Sequence, residues 1–169
     1  FFDFSRMIKQ FLILICFLCS FLMPAQAADT PQLRSQSWIL IDRLTNTTLA
    51  DKNADVRVNP GNGVLLMVLY TSERAIQERT IARNSSITVN NDALSIPPLN
   101  AARYYLEPNQ SVSVSELQKA IAVMGANDAA VALAEGIYQT TDRFIAKMNE
   151  HAKALGMKNT HYSSLIGSA

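Results

Sequence analysis

Few groups in this 169-residue sequence have the type and spacing to do chemistry. The two cysteines, Cys16 and Cys19, sit in one apolar run near the N-terminus. Everything after that run therefore lacks a thiol nucleophile, a disulfide and a soft metal ligand. The two histidines, His151 and His161, belong to no H-E-x-x-H pattern, and no G-x-S-x-G turn supplies a serine for them to activate. His151 falls on the polar side of an amphipathic stretch and reads as solvated; His161, in "KNTHY", reads as part of a turn. Asn62 and Leu65 stand three apart where "VNPGNGVLLMVLY" (58–70) opens an apolar helix. That is the spacing a helix-borne nucleophile and its base need, but an amide and a hydrocarbon fill neither role. Ser72 is the next serine along, and the residue three on is Ala75.

The elements that must position these residues can be read from periodicity and punctuation. "SWILID" (37–42) is a β-branched apolar run and reads as a buried strand; Asn46 supplies a turn, and "TLADKNAD" returns as a second strand. Pro60, Gly61 and Gly63 break the chain before "VLLMVLYTSERAIQERT", a helix apolar on every side for two turns and amphipathic afterwards. Residues 85–113 are loop-rich, with Pro97, Pro98 and Pro108 forbidding a long helix. Tyr104 and Tyr105 in that stretch read as pins holding the loop to helices beneath rather than as a ligand stack. Ser113 and Glu116 form a capping box that launches "VSELQKAIAVM", with Val114, Leu117, Ile121 and Met124 on one face. "NDAAVALAEGIY" is so apolar that it must be largely buried, with Asn127 as its N-cap. "DRFIAKMNEHAKAL" carries Phe144, Ile145, Met148, Ala152 and Leu155 on one stripe, and Gly156 stops it.

Composition narrows the function classes. A net charge of +1 and no basic run argue against nucleic acid, and 49% hydrophobic residues argue for a folded domain. Residues 1–27 read as a secretory signal peptide, with Met7 the better start. Lys9 precedes the apolar run 11–23, and Ala25-Gln26-Ala27 offers a small-x-small cleavage site. The run is short for a membrane anchor, which needs about 20 residues. Residues 28–36 read as a flexible lead-in and 37–169 as one domain. Without Arg6, Lys9 and Asp3 the charges balance, so a neutral domain exported to a bacterial periplasm or cell surface is expected.

Four stretches, "WILID", "LADKNADVRVNP", "LEPNQSVSVSELQKAIAVMGANDAAVALAE" and "FIAKMNEHAKALGMKNTHY", resemble in order and spacing the serine D-alanyl-D-alanine carboxypeptidases, the low-molecular-weight penicillin-binding proteins. The resemblance implies an α+β, penicillin-recognising transpeptidase (β-lactamase-like) fold: an antiparallel sheet with helices packed on it. It also implies removal of the terminal D-Ala from peptidoglycan stem peptides through a serine acyl-enzyme, using S-x-x-K, S-x-N and K-T-G motifs. In this sequence the first motif falls on Asn62-Gly63-Val64-Leu65, so the nucleophile position is Asn62 and the base position Leu65. The second falls on Gly125-Ala126-Asn127, with Gly125 in place of serine and the asparagine kept. K-T-G is absent, and "SLIGSA" departs from the usual His-Gly-Leu-Asp-like continuation.

Three readings stay open. A truncated homologue without catalytic motifs, its C-terminal strands missing, would be a pseudoenzyme that meets a stem peptide or protein partner, or a remnant. An unrecognised arrangement would keep the carboxypeptidase activity. An open sheet edge would pair with another chain. Asn127 reads as a helix cap rather than a substrate contact, and Leu65 as ordinary core. No metal or cofactor is implied.

Overall fold

The computed structural model describes residues 33–91, 94–95 and 102–167. The expected signal peptide and most of the lead-in lie outside them. Among the described residues no helix is long and apolar enough to cross a membrane. The chain divides into two units, Phe1–Val56 and Arg57–Ala169.

The described part of the first unit is a hairpin of β1 (Trp38–Ile41) and β2 (Thr48–Lys52). Trp38 pairs with Lys52, Ile39 with Asp51 and Leu40 with Ala50, and an irregularity then brings Ile41 opposite Thr48. The turn is built by its polar residues. The Asp42 carboxylate accepts the N–H groups of Leu44 (2.7 Å) and Thr45 (3.3 Å), and Asn46 takes the left-handed conformation at φ 56°. Those two bonds hold the Asp42 carboxyl below its ordinary range. The expectation of a buried strand is corrected: Ile39, Leu40 and Ile41 are all exposed. A ribbon of two strands has no second layer to cover either face.

The second unit is α+β. A 3-10 turn (Gly61–Gly63) runs into α1 (Val64–Gln77). The short strands β3 (Ser86–Thr88) and β4 (Ser111–Ser113) come next, and then α2 (Val114–Met124), α3 (Asn127–Tyr138) and α4 (Thr141–Ala154). In α1 the buried residues are Val64, Leu65, Met67, Val68, Thr71, Ser72 and Ala75, whereas Leu66 is exposed. The helix is thus buried on one side from its first turn although its residues there are apolar all round, because residue 66 points away from the 64–68–71–75 stripe.

β3 and β4 pair antiparallel, Ser86 with Ser113, Ile87 with Val112 and Thr88 with Ser111. The sequence reads 85–113 as a loop-rich excursion without a strand, and this short ribbon corrects that. Each strand has one inward apolar residue between hydroxyls, too little alternation to register as a strand. Ser113 caps α2 as the capping box predicts, accepting the Glu116 N–H at 3.2 Å. Glu116 differs from the box in what its carboxylate does: it accepts the Tyr104 hydroxyl at 2.8 Å. Tyr104 therefore pins the loop as expected, and Tyr105, 83% exposed at φ 60°, does not.

α3 is the buried centre of this unit: Asn127 through Ala134 are all buried. α2 packs on it through Val114, Leu117, Ala120 and Ile121, and α4 through Phe144, Met148 and Ala152. Met124 and Leu155, expected on those stripes, are exposed. Met124 is the last residue of α2 and Leu155 is the cap that follows α4, so both sit at helix ends. The stop after α4 is as read: Gly156 sits at φ 77°.

Candidate functional site

The 3-10 turn, the start of α1 and the end of α2 meet at one place. Asn62 lies exposed on the turn, and Leu65, 5% exposed, lies one helical turn further on in the core. Gly125 ends α2 in the left-handed conformation, φ 65°, where glycine carries no Cβ penalty. A Cβ built on Gly125 would stand 3.9 Å from both Asn62 Nδ2 and Leu65 Cδ1. Gly125, distant in sequence, is thus brought against Asn62 and Leu65, so the positions that the resemblance assigns to nucleophile, base and loop serine converge. The space between them is lined by an amide, an isobutyl group and a bare backbone. No proton can be taken from Asn62 by Leu65, and Gly125 offers no hydroxyl.

Asn127 is beside this place but not as the expected N-cap. It is the first residue of α3, with Ala126 in the cap position and no side-chain cap bond. Its backbone N–H and its Nδ2 both donate to the Ala102 carbonyl, at 2.9 and 3.3 Å, so the side chain ties the preceding loop to the helix. Among the described residues its buried Oδ1 has no partner.

The neighbouring Asp128 was not singled out by the sequence, and it organises the loop. Only 2% exposed, it accepts the N–H groups of Tyr104 (2.8 Å), Leu106 (3.3 Å) and Ala129 (2.9 Å). An acid in the first turn of a helix is the available sequence signal, since the macrodipole favours negative charge there.

His151 corrects another expectation. It is half-buried, its ring edge-on to Tyr70 of α1 at 5.6 Å, with Nε2 buried and unpartnered among the described residues. Residue 151 is three past Met148 on the buried stripe of α4, so it turns inward. His161 is exposed, as a turn residue would be. Among the described residues neither histidine hydrogen-bonds a serine hydroxyl. Ser72 is buried, donates to the Leu69 carbonyl (2.8 Å) and accepts from Gln118 (2.9 Å). Among the described residues no three His, Cys, Asp or Glu side chains gather as a metal requires.

An open cleft of about 470 Å³ runs along α2, lined by Tyr104, Ser115, Glu116, Lys119, Val123 and Met124. Ser115 and Lys119 share a helical face, yet the Ser115 hydroxyl pairs with that of Ser113 at 3.1 Å. Among the described residues no hydrogen bond joins it to the lysine, so the cleft does not assemble a serine with its base.

The chain is similar to known proteins over most of its length. A family model described as D-alanyl-D-alanine carboxypeptidase matches residues 24–168. The D-alanyl-D-alanine carboxypeptidase DacA of Escherichia coli (strain K12) is 33% identical over 97% of this chain and 44% of its own length. DacF of Bacillus subtilis (strain 168) is 32% identical over 79% of this chain and 33% of its own. Among solved structures, penicillin binding protein 5 from Haemophilus influenzae superposes with a TM-score of 0.78. It is 29% identical and covers 83% of this chain and 41% of its own. The chain thus spans less than half the length of these relatives.

Proposed function

Because the chain belongs to the D-alanyl-D-alanine carboxypeptidase family, we propose that it is a member without serine acylation, an exported cell-wall protein that meets stem peptides without hydrolysing them. The observation that carries this reading is the convergence of Asn62, Leu65 and Gly125 at one point. A serine hydroxyl needs a neighbouring base to become a nucleophile, and the family chemistry places a desolvated lysine one helical turn away. General-base assistance alone is worth roughly 10²–10⁴-fold, and the covalent path disappears with the hydroxyl. Replacing a buried lysine by Leu65 also removes a desolvation cost, so the substitution suits a fold no longer constrained by catalysis.

The test is intact-mass analysis of the folded chain after incubation with benzylpenicillin, which acylates the serine of active family members. An unmodified mass is expected. A stoichiometric adduct would overturn the reading, and mapping it would locate the nucleophile.

A second reading is favoured by β1. Its residues Ile39, Leu40 and Ile41 are exposed on both faces, and among the described residues the ribbon keeps a free edge on each strand. Apolar free edges are templates for pairing, and a second copy of the same strand is the occupant we infer.

A further inference from the structure

We propose that Asn62-Gly63 is a site of spontaneous, backbone-assisted deamidation in the native turn. The sequence contains one Asn-Gly step, and it falls on the exposed 3-10 turn ahead of α1. Asn62 is exposed, so its amide is open to water. Glycine stands on both sides of it, and glycine imposes the least steric restraint on the backbone rearrangement required. A Cβ at Gly63 would meet just one neighbour, Pro60 Cβ at 3.4 Å, so the side-chain face of this residue is open. The Gly63 N–H is held by a single bond to the Pro60 carbonyl, 2.9 Å, within a turn of three residues. Releasing that one bond frees the nitrogen without disturbing the buried stripe of α1.

The reaction is redox-neutral and needs water alone. The Gly63 nitrogen gives its proton to solvent base and attacks Asn62 Cγ. The N–Cγ bond forms, the Cγ–Nδ2 bond breaks, and ammonia leaves. Water then opens the five-membered imide at either carbonyl, leaving aspartate or isoaspartate at position 62.

The product is favoured by its position. Neither the 3-10 turn nor the first turn of α1 holds an acidic residue, and the start of a helix attracts negative charge. Other asparagines lack this combination of a glycine on the C-terminal side and open surroundings. Asn127 is buried and precedes Asp128, and Asn84 precedes Ser85, whose side chain hinders cyclisation. A carboxylate at 62 would lie beside Leu65 and Gly125, neither of which carries a hydroxyl for it to deprotonate, so the acylation reading is untouched.

The experiment holds the full folded chain at mildly alkaline pH in heavy-oxygen water and maps its peptides over time. The peptide carrying residue 62 should gain the mass of NH₂ replaced by labelled OH, several-fold faster than those carrying Asn84 or Asn109. Aspartate and isoaspartate products are separated by fragmentation. Gly63→Ala should suppress the gain; Gly63 has right-handed helical angles (φ −59°, ψ −20°), which alanine accepts. An unmodified 62 peptide, modification confined to denatured chain, or an unchanged rate in Gly63→Ala would each overturn the proposal.

Discussion

Asp128 gathers three N–H groups into a site closed to solvent, two of them from the 104–106 loop. Asp128→Ala would leave buried donors unpaired, which costs about 1–3 kcal/mol. The loss should appear as a lower urea midpoint at unchanged slope. Tyr104 makes a second tie to α2, donating to Glu116. That hydrogen bond, reinforced by the carboxylate's charge, raises the Tyr104 phenol above its ordinary value of 10.0. A raised folded-state value means the tie stabilises below the unfolded phenol's titration and is lost as pH rises through the folded one. The difference in stability between native and Tyr104→Phe chains should therefore shrink above pH 10, with both measured by denaturant titration. A gap that stays constant across that window would dismiss the tie. Asn62, Leu65 and Gly125 belong to the same scale. Their identities are plain in the sequence, but their meeting point depends on three separate elements.

Among the elements, α3 and β3 approach closely. Gly136 lies in α3 against Ile87 of β3, and an added Cβ would fall 2.5 Å from Ile87 Cδ1. Alanine is the better helix former by about 1 kcal/mol, yet overpacking a filled core costs about 1–3 kcal/mol. Gly136→Ala should therefore lower the melting temperature despite its propensity, and Gly136→Ala with Ile87→Val should recover part of the loss. A single variant more stable than the native chain would show that Ile87 has room to move. The legibility of elements obeys the same logic of context. α3 coincides with "NDAAVALAEGIY" because an unbroken small-apolar run between polar ends leaves a helix little choice. The ribbon β3–β4 is illegible because its pairing joins residues as distant as Ser86 and Ser113, and each strand offers one apolar contact, Ile87 or Val112. His151 reads as solvated yet turns inward against Tyr70, because the buried stripe of α4 is wider than its apolar residues.

For the whole molecule, the hairpin and the helical unit differ in kind. The helical unit has a packed interior, with Val68, Leu117, Leu133, Phe144 and Met148 inaccessible, while the hairpin exposes Ile39, Leu40, Ile41 and Leu49. If the hairpin pairs with a second copy, sedimentation should show a mass that rises with concentration, and Leu40→Lys should hold the chain monomeric. A monomer mass independent of concentration would remove that reading.

The amino-acid order alone established the family resemblance, the helical segments and their caps at Ser113 and Gly156, and an amide at position 62 with a hydrocarbon at position 65. These are local properties: side-chain identity, apolar period and backbone stiffness act over a few residues. The tertiary structure decided what no local pattern encodes. It brought Gly125 against Asn62 and Leu65, turned Asn127 from a cap into a loop tether, buried Asp128 as the loop's anchor, and left Leu66 outside while drawing His151 in. Each depends on which faces meet when helices pack, and that choice is set by close-packed complementarity across the whole core.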